Sequence, residues 1–437
     1  MGDRGRFWRW VGAAVAVGLA IRLAYILTDD RLLPGGDGFA YHFEALRVAD
    51  GRGYTTWQPD SAGEELAHHA PGWVTVLGGW VALGGRSFVS QQLLGAAFGL
   101  VLIVLIALVG RRYVSPRVGV VSAFLAAIYP GFWLVEANLL AEPLGLVLLA
   151  GLLLGLAWFR DAPGVGRGVA VGALLGLLAL VRSEQAALLV LVVGPTILLA
   201  RTLSLQRRLV LFGAATATMV ALLAPWAIFN QTRFEEPVLL SASGGFTLLA
   251  GNCEPYTFEG ERVGFFDTRC SLRVIARNPD RDQSQNDPLF RSEALTNIEA
   301  NASDLPRVAL ARYGRAAAVF RPTQTVGFVA KWMGTGTTPI WAWVISFWAL
   351  LVLAIVGLRA ARARGTWLVP VLGPVVLALV LIGVTYGEPR YHNPADLSII
   401  VLAATGLVRL FPAMGRRPSQ PTVTEPSEPA EAVTVDR

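Results

Sequence analysis

Trp8-Arg-Trp-Val-Gly-Ala-Ala-Val-Ala-Val-Gly-Leu-Ala-Ile-Arg-Leu-Ala-Tyr-Ile-Leu27 decides the fold class. Its length matches the roughly 20 apolar residues that cross a hydrocarbon core. Arg4, Arg6 and Arg9 crowd its start, and no small-residue cleavage site follows it. The stretch therefore reads as an uncleaved first transmembrane helix with its N-terminus in the cytoplasm. Arg22 interrupts its far half and reads as an arginine snorkelling to the opposite interface or pairing with a neighbouring helix, without a chemical role.

The rest of the chain agrees. Of its 437 residues 54% are hydrophobic and only 16% charged, with a mean hydropathy of +0.52; a soluble domain carries about a quarter charged residues. This is an integral membrane protein. The net charge of +6 raises nucleic acid as a partner, but the arginines are dispersed between apolar runs and form no basic stripe interleaved with aromatics, which excludes it. Lys331 is the one lysine, and the Ala, Gly and Val content points to a G+C-rich bacterial genome.

Further apolar runs lie at 87–109, 118–134, 139–159, 168–181, 185–200, 209–229, 340–358, 366–384 and 395–411, giving about ten spans in an all-α polytopic fold. Arginines fill alternate connections: Arg111, Arg112 and Arg117, then Arg160 and Arg167, then Arg201, Arg207 and Arg208, then Arg359, Arg362 and Arg364, then Arg416 and Arg417. Those connections should be cytoplasmic. On the opposite, outer side fall Asp37, Glu44, Glu136, Glu142, Glu184, Glu388 and all four histidines, His42, His68, His69 and His392.

This divides the chain into an N-terminal transmembrane catalytic module, 1–229, with an outer loop at 28–86; an extracytoplasmic loop domain, 230–339; C-terminal helices, 340–411; and a tail, 412–437, expected to be disordered and cytoplasmic. The implied location is a bacterial plasma membrane, with both termini inside. In the outer loop, the residues after Phe39 have helical spacing and read as a surface helix, while Pro71 to Leu83 is short enough to be interfacial or re-entrant. The 230–339 domain reads as mixed: Gly-rich and aromatic from Val238 to Ser271, as in short strands, then helical from Asp287 to Phe320. Arg307, Arg312 and Arg315 on that helical part are expected to face water or lipid, with an anionic substrate as the alternative. Cys253 and Cys270, with sixteen residues between them on the oxidising side, are expected to form a disulfide.

The candidate chemistry begins at Leu32-Leu-Pro-Gly-Gly-Asp37-Gly-Phe-Ala-Tyr41-His42, just beyond the first span. A carboxylate held at the membrane surface invites a functional hypothesis. Asp37 reads as a general base whose pKa partial burial would raise, or as an ordinary Gly-Asp-Gly turn residue. Arg390 is a planar, multi-donor cation suited to phosphate, or else a snorkelling or Glu388-paired arginine. Glu142 could hold a metal or position an acceptor, but an acid at a helix start is also favoured by the helix dipole.

Several motifs recur in one order: Asp37 with Tyr41-His42, His68-His-Ala-Pro71-Gly-Trp, Leu140-Ala-Glu142-Pro-Leu, Arg182-Ser-Glu184, Pro225-Trp226 with Asn230, Gly244-Gly to Cys253, and Gly387-Glu-Pro-Arg390-Tyr391. In this the chain resembles the GT-C glycosyltransferases, of the protein O-mannosyltransferase and lipid A aminoarabinose-transferase type, from about residue 10 to 410. The resemblance implies a membrane enzyme that takes a sugar from a polyprenyl-phosphate carrier and passes it with inversion to an acceptor, a protein, a lipid or a polysaccharide, on the outer face. It implies catalytic roles for Asp37 and Glu142, and carrier-phosphate or substrate contacts for Tyr41, His42, His69, Arg390 and Tyr391. It also implies a divalent metal, with His68 as a candidate ligand, and no nucleotide cofactor. Ala70 departs from the Pro-Pro of such proteins, and the charged pair before it is here two imidazoles. The other class considered is a transporter or flippase for a lipid-linked or anionic substrate, although no internal repeat of the transporter kind is visible.

Overall fold

The computed structural model describes residues 3–31, 33–56 and 63–411; the expected disordered tail lies outside them. Eighteen α-helices follow one another: α1 (Asp3–Thr28), α2 (Gly36–Ala49), α3 (Gly72–Ala82), α4 (Phe88–Tyr113), α5 (Pro116–Ile128), α6 (Pro130–Ala137), α7 (Glu142–Asp161), α8 (Val165–Val181), α9 (Gly194–Leu198), α10 (Leu205–Gln231), α11 (Gly244–Gly251), α12 (Arg269–Arg277), α13 (Gln283–Ala300), α14 (Leu305–Ala316), α15 (Pro322–Met333), α16 (Thr337–Ala363), α17 (Val369–Val384) and α18 (Asn393–Leu410). In hydrocarbon a backbone must satisfy its own hydrogen bonds, and helices do so.

Among the described residues, six segments are long and apolar enough to cross a membrane: α1, α4, α7, α10, α16 and Pro389–Leu410, which contains α18. The pair α5 and α6 makes a seventh if its 46° bend is counted within one span. Tyr129, extended at φ −70° and ψ 116°, precedes Pro130, which cannot continue the hydrogen-bond ladder. The remaining runs expected to span are shorter apolar helices, and the one at 185–200 is broken into a 3₁₀ turn, a π turn at Leu189–Val193, and α9. The chain is thus polytopic and helical as expected.

Helices pack closely where side chains are absent. A Cβ on Gly357 of α16 would lie 1.8 Å from the Leu402 carbonyl oxygen of α18, and one on Gly406 would lie 2.3 Å from that of Leu353. This is the small-residue packing of membrane helices, which lets dispersion contacts replace a hydrophobic drive.

The bundle has two chemically different ends. At one, the arginine-bearing turns meet: Arg112 reaches Asp161, Arg207 donates to the Pro163 carbonyl at 3.1 Å, and Arg160 lies 4.4 Å over the Trp367 ring, on which Tyr113 stacks. Arg111 covers Phe7 of α1 there. At the other end lie α2, α3, the α6–α7 turn, α11–α15 and the start of α18. The 230–339 segment is not mixed: among its described residues it is helical, with no strand. Its glycines serve close helix packing, since a Cβ on Gly245 would meet the Asp287 carbonyl at 2.1 Å and one on Gly251 that of Thr385 at 2.1 Å. Cys253 and Cys270 are bonded there beside Leu249, Val274 and Phe290.

Arg312 and Arg315 are corrections of another kind, because both are buried rather than facing water, lipid or substrate. Arg312 donates to the carbonyls of Gly251 and Gly383, tying α11 to α17, while Arg315 donates to those of Val263 and Glu261. Arg307 is exposed and bonds Asp304 and the Phe258 carbonyl.

Candidate active site

Asp37 is fixed by its glycines. It opens α2, where the helix dipole favours an anion. Gly36 adopts φ +51° and a Cβ on it would lie 2.3 Å from the Trp332 ring; a Cβ on Gly38 would lie 2.0 Å from the Asn138 carbonyl oxygen. The turn is thus pressed between α15 and the α6–α7 connection, and only glycine fits on either side of the carboxylate. Arg390, from the 3₁₀ turn Pro389–His392, donates from Nη1 to Asp37 Oδ2 at 2.7 Å and lies 4.4 Å over the Trp332 ring. Residues 353 positions apart make this pair.

A second arginine stands beside it. Arg182, just after α8, donates from Nη1 to Glu142 Oε1 at 2.9 Å and from Nε to Glu184 Oε1 at 2.7 Å. Glu142 is the first residue of α7 and is buried. The two groups share one field: Tyr41 is influenced by the charges of Asp37, Arg182 and Glu142, and Glu388 by those of Arg390, Asp37, Glu142 and Arg182. Tyr41, one helical turn after Asp37, packs its ring 4.5 Å from that of His69. His69 meets His68 edge to face at 4.7 Å, and His68 meets Phe246 of α11. Tyr391 pairs its hydroxyl with that of Tyr386. Asp37, Tyr41, His68, His69, Glu142, Arg390 and Tyr391 are therefore brought together at one end of the bundle.

The electrostatics reverse one expectation. Burial pushes the Asp37 carboxyl up, but the Arg390 guanidinium outweighs it and holds the group well below the usual carboxylate range. Asp37 is an ion-paired carboxylate here, not a carboxyl raised toward neutrality. Burial lowers the histidines, His69 to about 3, so at neutral pH it is an uncharged ring, and its Nδ1 has no partner. Burial raises Glu388 to about 7, against the pull of Arg390.

His42 does not join the site. It is buried and its Nδ1 lies 2.9 Å from Gln91 Oε1 of α4, since a residue five positions after Asp37 leaves the face that Asp37 and Tyr41 share. Nor do the residues fit a metal. Among the described residues no group of three His, Cys, Asp or Glu is placed to hold one; Asp37 and Glu142 are committed to arginines and His68 to ring contacts. Sequence reasoning quoted Arg182-Ser-Glu184 only as a motif, offered Glu388 only as a partner of Arg390, and gave Trp332 no role; nothing in the local sequence around Trp332 signals its place under Arg390.

No family model and no curated protein sequence matches the chain. Solved structures do. The archaeal oligosaccharyltransferase AglB from Archaeoglobus fulgidus, in complex with an inhibitory peptide and a dolichol-phosphate, is similar at a TM-score of 0.57 and 15% identity, over 94% of this chain and 51% of that one. The Archaeoglobus fulgidus oligosaccharyltransferase complex with zinc and sulfate is similar at 0.53 and 14%, over 92% and 49%. ArnT from Cupriavidus metallidurans in the apo state gives 0.42 and 17%, over 92% and 78%. The chain spans about half the length of the oligosaccharyltransferases that it matches. At these identities the likeness is one of fold: this protein shares a helical polytopic fold with the oligosaccharyltransferases.

Proposed function

We propose that this protein is a membrane glycosyltransferase that moves a sugar from a polyprenyl-phosphate carrier to an acceptor, with Asp37 and Arg390 at the centre of its site. The observation that carries this reading is the Asp37–Arg390 pair itself: a partly exposed carboxylate, pinned by glycines, on an arginine stacked over Trp332. The arginine-rich turns at the opposite end argue that this end faces outward, where a lipid-linked donor presents its phosphate. The presence of dolichol-phosphate in the AglB complex supports a carrier of that class.

The chemistry follows from the residues. The acceptor oxygen forms a bond to the anomeric carbon on the side opposite the phosphate, the carbon–oxygen bond to phosphate breaks, and the electron pair leaves on the phosphate oxygen. The configuration is inverted. Arg390 can fork two N–H donors onto the phosphate and stabilise the charge that grows on it. In doing so it shifts away from Asp37, whose basicity then rises, and the freed carboxylate accepts the acceptor's proton. Arg182 and the neutral His69 are the neighbouring donors, with Tyr41 and Tyr391 framing the sugar and phosphate. Glu142 orients Arg182 and thereby the acceptor side. Zinc is part of one oligosaccharyltransferase complex, but the carboxylates here are arginine-bound and no step is routed through a metal. A protein, a lipid or a polysaccharide can each supply the hydroxyl.

Proteoliposomes carrying a polyprenyl-phosphate sugar, assayed for sugar transfer and for carrier flux between leaflets, test the reading. We expect transfer without protein-dependent flux. Flux without transfer would instead make the site the port of a flippase.

A further inference from the structure

Among the carboxyls that face Arg390 and Arg182, Glu388 is the one that accepts no hydrogen bond. Its side chain is 1% exposed, its Oε1 has no partner, and its Oε2 stands 3.4 Å from Arg390 Nε, which is itself unpartnered. Asp37, Glu142 and Glu184, by contrast, each accept from an arginine at 2.7–2.9 Å. A carboxylate held to support Arg390 would close the remaining distance; this one does not. A buried carboxylate that accepts no hydrogen bond is penalised by desolvation, and such a group takes a proton instead.

The charge balance says when. Arg390 and Arg182 face four carboxyls, Asp37, Glu388, Glu142 and Glu184, while burial keeps His68 and His69 neutral at pH 7. Tyr386 adds no charge, because burial raises its phenol, and Tyr391 holds its hydroxyl against it. With every carboxyl ionised the site carries more negative than positive charge and repels the anion that the proposed function requires it to admit. Of these four, only Glu388 can lower that excess, from two charges to one, without losing a hydrogen bond; Glu44 of α2, raised to about 8 by burial and by the Asp37 charge, adds to the negative side only at higher pH.

Resting on that function, we infer that Glu388 is a positioning residue that takes up one proton when a lipid phosphate binds Arg390, so that the anion enters against one negative charge fewer. The proton joins Glu388 from solvent, and no other bond is made or broken. The free group titrates near 7, and a phosphate at Arg390 raises it further. The sign follows from linkage. Below pH 7 Glu388 is already protonated and affinity is highest; above it, each binding event must draw a proton, and affinity falls by up to tenfold per pH unit.

The test is binding of a methyl polyprenyl phosphodiester, which carries one fixed charge, to the full chain in nanodiscs from pH 6 to pH 8.5. We expect the wild-type Kd to rise about tenfold across that range. Glu388→Gln should bind at every pH about as tightly as wild type does at pH 6, and Glu388→Asp should restore a pH-dependent Kd. A slope that persists in Glu388→Gln overturns the inference, as does a flat wild-type curve, while leaving Arg390 as the phosphate site. Absence of binding by folded wild type at all pH values overturns both the inference and the proposed function. Should Glu388→Gln not fold, the slope in Glu388→Asp, shifted along the pH axis from wild type, carries the test, and an unshifted slope counts against Glu388.

Discussion

Asp37 is held by steric exclusion as much as by charge. Gly38 touches the Asn138 carbonyl so closely that a methyl group there would stand 2.0 Å from it. Gly38→Ala must therefore move the α2 entrance and separate Asp37 from Arg390. We predict at least a tenfold loss of transfer with the chain still inserted, because misplacement by about 1 Å costs on the order of a hundredfold in rate; activity near wild type would show that the turn does not position the carboxylate. At this scale residue types were legible and partners were not. Asp37 and Arg390 each stood out alone, but nothing in a linear sequence pairs positions 353 apart. For the same reason the sign of the Asp37 pKa shift was misread: burial was visible in the pattern, and the guanidinium that outweighs it was not. His42 looked like a site residue because it neighbours Tyr41, yet one step along a helix turns a side chain by about 100°.

Among the elements, long apolar runs translated directly into helices, whereas the glycine- and aromatic-rich part of the 230–339 segment did not become strands. Glycine there admits close helix packing at Gly245 and Gly251, and a single sequence does not separate that use from a turn. Arg312 and Arg315 likewise read as surface charges, but each caps several carbonyls where helices end against one another. The Cys253–Cys270 bridge staples this region and closes a loop worth about 3 kcal/mol by chain entropy. Native, unreduced protein should therefore resist alkylation at both cysteines, and reduction should lower its melting temperature; two free thiols in the native protein would exclude the bridge.

For the whole molecule, the alternation of arginine-rich and carboxylate-bearing connections was readable from the start, and the structure separates them to opposite ends of the bundle. The number of spans was not, because α8, α17 and the broken 183–198 stretch have the composition of a span without its length. Reporters fused after Arg112, Arg208 and Arg364 should read cytoplasmic, and one inserted near Gln283 should read outside. An inside signal at Gln283 would place the site on the wrong face for a lipid-linked donor of the outer leaflet.

The claim that Asp37 and Arg390 carry sugar transfer from a polyprenyl phosphate is tested most directly in membranes that hold the native donor and acceptor. Mass spectrometry of their polyprenyl-phosphate lipids, combined with a carrier-binding assay, compares wild type with Asp37→Asn and Arg390→Ala. We predict that wild type consumes one lipid-linked sugar, that Asp37→Asn lets it accumulate with turnover reduced by about 10²–10⁴-fold and carrier binding retained, and that Arg390→Ala loses both. Consumption of that lipid by Asp37→Asn at the wild-type rate would contradict the assignment.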